Sequence, residues 1–196
     1  MAELEDAWAR ITAWLAANAP ASYATLRPPA PAAELEACEE KLGFGLPSEL
    51  RRLLLVNDGA SDRNPDGSYH VHARFLPGGH QPLSAARVAQ DSRGLVEVMD
   101  DLGFPDLLGH WWHPEWVMFA AHIAGDGMTI DQRPGPAQGT VGEFNNEGDA
   151  DFTWGASLAE YLERVADSLE NGTACKCFRP RVTADGRLDW DVVRAS

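Results

Sequence analysis

Apolar residues near the start of the chain recur as Leu4, Trp8, Ile11 and Leu15. This is one face of a 3.6-residue period, and it predicts a helix from Glu3 to Asn18 with a stripe that must dock on something. The Pro- and Ala-rich run Ala19–Ala32 has no such period and predicts an extended connector. Leu35, Cys38 and Leu42 share a face and predict a second helix, Ala32–Leu42, which Gly43 closes as a C-cap. In "KLGFGLPSELRRLLLVNDGA" a third helix opens at Pro47, where a missing N–H is no loss. It turns Leu50, Leu53 and Leu54 inward and Arg51 and Arg52 outward. Asn57 to Gly59 suit left-handed backbone and predict where this helix stops.

From Ser61 to Pro82 turn-forming residues dominate, but "SYHVHARF" (Ser68–Phe75) alternates and predicts a strand. Ser84–Leu102 predicts a helix with Val88, Leu95 and Val98 or Met99 inward, weakened at mid-length by Gly94. A β-meander follows. Its strands are Glu115–His122, Met128–Arg133 and Thr140–Asn146, separated by the turns "AGDG" and "PGPAQG". "SLAEYLERVADSLENG" predicts a helix with a Ser157/Glu160 capping box, a Leu158, Tyr161, Leu162, Val165, Leu169 stripe, and Gly172 at its end. The tail, Thr173–Ser196, holds a hairpin around Ala184-Asp185-Gly186. The class is α+β, an antiparallel meander with helices packed on one side. The chain divides into an N-terminal helix and connector (1–31), a central domain (32–172) and a C-terminal extension (173–196).

Composition adds limits. With 196 residues, 44% of them hydrophobic, one sizeable core is expected. No run approaches the ~20 apolar residues that span a bilayer, and the acidic start lacks a secretory pattern. A cytoplasmic protein with no membrane partner is therefore expected. The three cysteines, Cys38, Cys175 and Cys177, are too few and too odd for a disulfide framework. Cys175-Lys176-Cys177 lacks a second pair at finger spacing, so no metal is assigned to it. The net charge is −14, and between Glu97 and Asp151 eleven acids face a single base, Arg133. Such a surface repels phosphate backbones, which excludes a nucleic-acid-reading role for the paired short helices. It favours encounter with a basic protein.

Candidate chemistry is sparse. His70 and His72 would share one face of a strand as a metal pair, but spacing identifies no third ligand. His110 and His113 flank Trp111-Trp112 without the helical H-E-x-x-H pattern of zinc hydrolases. Asp126 and Asp131 lie close in sequence and would make a carboxylate pair, although an Asp between two glycines is also an ordinary turn residue. No G-x-S-x-G, P-loop or G-x-G-x-x-G is present, so neither an enzyme nor a cofactor is expected. Tryptophan is dense in "GHWWHPEW". Trp116 opens a buried strand and belongs to the core, while Trp111 or Trp112 is the candidate for a surface anchor.

In order and spacing these pieces resemble the SUKH superfamily, whose namesakes include fungal cell-wall-assembly regulators of the SMI/KNR type. Glu39, Leu42, Gly43, Leu46, Pro47, Leu50, Leu54 and Asn57 match its opening motif, with Asp58 inserted before Gly59. Trp116, Phe119, Gly125, Asp126, Gly127 and Asp131 resemble its central hairpin. Gly139 and Val141 resemble its next strand, and Phe152 with Leu158–Leu162 its closing helix. The resemblance covers roughly Ala32–Leu169 and implies a domain without catalytic residues. Bacterial members look like immunity proteins that block toxins, and fungal members like regulatory hubs. It therefore implies a protein-binding domain, foremost an immunity protein that occludes a basic toxin, as monomer or homodimer. Trp111, Trp112, Asp126, Asp131, Glu143, Glu147 and Asp149 are the candidate partner-binding residues. The alternatives are a regulatory scaffold of cell-wall synthesis and a metal-dependent hydrolase built on His70 and His72.

Overall fold

The apolar stripe of the first helix docks as its spacing requires. In the computed structural model, which describes residues 3–64, 66–103 and 109–193, α1 (Glu3–Asn18) buries Leu4, Trp8, Ile11 and Leu15. It lies against α6 (Leu158–Asn171), whose stripe of Leu158, Tyr161, Leu162, Val165 and Leu169 is equally buried. Ser157 caps α6 by accepting the Glu160 N–H, as the capping box predicts. Asp106, part of the acidic run, lies outside the described residues.

The connector is less extended than its composition suggests. Pro20 sets the first turn of a short helix, α2 (Pro20–Tyr23), before irregular chain leads on to α3 (Ala32–Leu42). Gly43 ends α3 at φ +86°, its N–H on the Glu39 carbonyl at 2.9 Å. In α4 (Ser48–Val56) Leu50, Leu53 and Leu54 are buried, and Pro47 is the residue just before the first turn. Outside it, Arg51 pairs with Glu39 and Arg52 with Glu5.

Beyond α4 the backbone departs from the expected closure. Asn57 is extended (φ −154°), and only Gly59 is left-handed (φ +70°). The Asn57 side chain donates to the Arg27 carbonyl at 2.6 Å, and the Asp58 N–H donates to the Pro28 carbonyl at 3.1 Å. The Asp58 carboxylate is buried. One oxygen accepts the Ala85 N–H at 2.8 Å, and the other takes the Arg27 guanidinium at 2.9 and 3.0 Å. Gly59 passes so close to Leu83 that a Cβ would stand 2.5 Å from its backbone carbonyl.

Ser68–Phe75 forms no strand. Tyr69 makes an isolated bridge with Arg63, the chain turns at 71–73, and Tyr69 and Val71 stay exposed. Alternation without a partner ladder is not enough to hold a strand. Ala73, Phe75 and Leu76 instead plug the core beside a 3₁₀ turn, Pro77–Gly79. Helix α5 (Ala85–Leu102) runs through Gly94 unbroken between the Ser84 N-cap and Gly103. It buries Val88, Ala89, Ser92 and Val96. Of the pair Val98 and Met99, Met99 packs inward and Val98 is exposed.

Five antiparallel strands make the main sheet in the order β1 (Gln81–Pro82), β2 (Trp116–Ala121), β3 (Gly127–Asp131), β4 (Val141–Phe144), β5 (Asp151–Gly155). The three central strands are those the pattern predicts. The outer two carry too few apolar residues to announce themselves. Phe119 meets Tyr161 of α6 edge-on, so one face of the sheet lies under the helices. Because β1 is only two residues long, the Ser92 hydroxyl of α5 accepts the Met118 N–H at 3.0 Å and covers the rest of that edge. The tail forms the expected hairpin, β6 (Phe178–Val182) and β7 (Leu188–Val192). Leu188 and Trp190 join the common core, and the Trp190 indole N–H donates to the Phe75 carbonyl at 2.9 Å.

Two expectations follow for chemical denaturation. Gly59→Ala combines a left-handed φ with overlap on rigid backbone and costs at least ~2 kcal/mol. Gly43→Ala meets open space and costs only about 1 kcal/mol, so equal losses would contradict the geometry. Asp58→Ala strands the buried Ala85 N–H and leaves the half-exposed Arg27 without its partner, with an expected loss of about 1–3 kcal/mol. Asp58→Asn, which keeps an acceptor for Ala85, loses less.

Candidate functional site

The register of the sheet gathers two loops at one end. Gly127 stands opposite Phe144, so the β2–β3 loop (122–126) lies beside the β4–β5 loop (145–150). Asp126 binds them together by accepting the Asn146 N–H at 2.9 Å. The Trp111 indole N–H donates to the Asn146 carbonyl at 3.0 Å, so this side chain is pinned at the same end. Glu147 and Asp149 are exposed there, and the Glu147 N–H is held by Asn145 at 2.8 Å. Trp111, Asp126, Glu147 and Asp149 thus form one acidic surface with an aromatic edge.

The face of the sheet turned away from α1 and α6 is roofed by aromatic rings. Trp112 sits edge-on between Trp116 (5.7 Å) and Phe144 (5.2 Å), and Phe152 closes on Trp116 at 4.9 Å. Trp112 is fully buried, which overturns its expected part as a surface anchor. Apolar sheet surface must be covered by something apolar, and this loop residue covers the part between Trp116 and Phe144. Trp116 is in the core as expected. Trp111 packs against Phe144 at 5.2 Å and keeps a partly exposed edge.

Asp131 does not join the acidic surface. It lies at the far end of β3 from Asp126, about 16 Å of extended chain away, so the two make no carboxylate pair. Its buried carboxylate holds the Arg133 guanidinium at 2.6–3.0 Å and the Arg133 N–H at 2.9 Å. Arg133 in turn lies 5.3 Å over the Trp116 ring. Asp131 braces the sheet end through this ion pair.

Glu143, the next acid along β4, has a different setting. Burial, with Asp126 adding repulsion, holds its carboxyl above the ordinary range, while Lys176 pulls it back. Its neighbour is His80, which no sequence pattern marks. His80 is buried beneath the 3₁₀ turn, and its Nδ1–H donates to the Pro77 carbonyl at 2.8 Å. That bond leaves Nε2 as the bare nitrogen, 3.7 Å from a Glu143 oxygen. Burial pushes the imidazole down to about 4. The ring of His122 stands 5.6 Å away, at the edge of the acidic loops.

The other histidine pair is less convergent. His70 and His72 lie ring to ring at 5.2 Å, and His72 Nε2 meets the Asp185 carboxylate of the hairpin turn at 3.2 Å. Among the described residues no group of three or more His, Cys, Asp or Glu side chains is placed to hold a metal ion. All three cysteines are free thiols, and burial lifts Cys38 and Cys175 to about 11. Among the described residues no helix is long and apolar enough to cross a membrane.

The His80 environment gives a signed pH expectation. Its folded-state value lies below the ordinary 6.5, so its stabilisation is complete above pH 6.5 and is lost as pH falls towards about 4. The loss across that window is about 3 kcal/mol. Glu143 works in the opposite sense, because its raised value makes the folded state bind a proton more readily as pH falls. Unfolding titrations of the wild type and His80→Gln separate the two contributions. The variant should show a flatter acid limb, and an unchanged slope would place the sensitivity elsewhere.

Comparison with known proteins places these features. The model of the SMI1 / KNR4 family (SUKH-1) matches residues 29–170. The interval holds α3 to α6 and the five-stranded sheet, and it leaves α1, α2 and the C-terminal hairpin outside. The chain is also similar to the cell wall biosynthesis/cell cycle regulator smi1 of Schizosaccharomyces pombe (strain 972 / ATCC 24843), at 26% identity over 196 residues. That alignment takes in 86% of this chain but 36% of the relative, so the chain spans about a third of the regulator's length. With the α3–α4 corner, the antiparallel meander and the closing helix all inside the matched interval, the chain belongs to the SMI1/KNR4 (SUKH-1) family.

Proposed function

We propose that this protein is a non-catalytic protein-binding domain that receives a basic partner on the end of the sheet formed by the 122–126 and 145–150 loops. The observation that carries the reading is the tying of Trp111 and Asp126 through Asn146, beside the exposed carboxylates of Glu147 and Asp149. A held aromatic beside exposed carboxylates is the arrangement that anchors and steers a cationic partner. The net charge of −14 supplies the long-range attraction. In its finer form, the domain is an immunity protein of the cytoplasm that neutralises a basic toxin by covering its working surface. A second reading, a regulatory scaffold of cell-wall synthesis, is supported by the similarity to the fission-yeast regulator.

Affinity capture with the full chain tests both readings. The bait is exposed to lysates of the producing cells and of their competitors, washed at low salt and eluted along a salt gradient. A single basic protein in the high-salt fractions, missing when the bait carries Glu147→Lys and Asp149→Lys, is the expected result. Envelope-synthesis proteins in its place would favour the scaffold. Equal recovery by wild-type and charge-reversed baits would overturn the electrostatic surface.

A further inference from the structure

Lys176 is one of only two lysines in the chain, against fourteen arginines. It is the one non-glycine residue with a positive φ (53°) among the described residues, and it lies between buried Cys175 and exposed Cys177. A side chain tolerates that conformation only at a cost. Here the conformation carries the ammonium onto β5. Lys176 Nζ stands 4.4 Å over the Trp154 ring, 3.0 Å from the Asp151 carboxylate and 2.6 Å from the Thr153 hydroxyl. Phe178 stacks on the same indole at 6.0 Å. Against burial, which alone would raise it, the bonds from Thr153 and Lys176 hold Asp151 below the usual carboxylate range.

A second acid and two unpartnered groups stand behind this clasp. Glu143 lies across the ladder from Asp151. His80 Nε2, on a side chain only 2% exposed, has no hydrogen-bond partner and is aimed at Glu143 from 3.7 Å. The fully buried Tyr161 hydroxyl, which feels the charge of Glu143, also lacks a partner. The place is therefore built to hold positive charge beyond what one surface ion pair needs. An aromatic floor, a carboxylate and a hydroxyl at these distances suit the compact ammonium of lysine.

We propose that Trp154, Asp151, Thr153 and Glu143 form a lysine-binding site, which Lys176 fills in the free protein and a partner's lysine takes over by displacing it. This deepens the protein-binding reading above and rests on it. The self-contact is suited to exchange. Asp151 is 55% exposed and Lys176 31%, so water and salt screen the pair, and release relieves the left-handed turn.

The probe is a decalysine peptide, titrated by calorimetry at low salt into the full-length protein and its variants. Lys176→Met empties the site of charge while keeping an apolar stem on Trp154. It should bind decalysine about tenfold more tightly than the wild type, the scale of one cation–π contact freed from competition. Arg179→Met, which removes one positive charge elsewhere, should show no such gain, and Asp151→Asn in the Lys176→Met background should abolish it. Equal affinity of wild type and Lys176→Met, or an equal gain in the Arg179 control, overturns the lysine site. If binding is then still lost on charge reversal at Glu147 and Asp149, the loop-end surface stands and only the lysine site falls. A Lys176→Met gain that persists in the charge-reversed protein supports the lysine site and removes the loop-end surface. No binding by any variant overturns both.

Discussion

The buried carboxylate of Asp58 is the joint on which the arrangement turns. It meets the Arg27 guanidinium on one oxygen and the first N–H of α5 on the other, directly after the end of α4. A carboxylate removed from water needs both a countercharge and donors. Satisfying that need brings the connector, α4 and α5 to one point. Gly59, the next residue, then has to pass Leu83 at a distance only a glycine permits. The position of α5 follows, and with it the covered edge of β2, where Ser92 supplies the acceptor that the short β1 does not.

From this joint the sheet acquires two unlike faces and two unlike ends. One face is buried beneath helices, as the stripes of α1 and α6 require. The other is closed by tryptophan and phenylalanine rings, which is why a surface rich in tryptophan in the sequence is mostly interior in the fold. At one end Arg133 neutralises Asp131 and rests on Trp116. At the other end the acids of the loops have hydrogen bonds that fix their backbones and little positive charge to balance them. The asymmetry makes one end a closed ion pair and leaves carboxylates exposed at the other.

The segments outside the family match are not loose additions. The stripe of α1 lies on α6, and the C-terminal segment places Cys175, Leu188 and Trp190 in the same core. The hairpin also holds the connector, since the Ser22 hydroxyl accepts the Leu188 N–H at 3.0 Å. The same segment carries Lys176 to Asp151 on β5. The tail thus combines packing in the core with an ion pair on the sheet.

The sequence by itself determined what depends on short range. The periods of Leu4–Leu15 and Leu158–Leu169 marked helices, Gly43 and the Ser157/Glu160 box marked their ends, and the turns "AGDG" and "PGPAQG" marked the central meander. Each is a local property, decided by backbone sterics or by which residues share a face within a few turns. The strand expected at Ser68–Phe75 failed because a strand requires a partner, and no pattern in one segment supplies it. Trp111 and Trp112 are adjacent and chemically identical, so only the roofing of the sheet could make one a surface residue and the other core. Asp126 and Asp131 are close in sequence yet held apart by a full strand. The clusters of His80 with Glu143, and of Lys176 with Asp151 and Trp154, join residues from distant parts of the chain. Burial, pairing and shifted protonation are properties of what surrounds a side chain, and that surrounding exists only once the chain has folded.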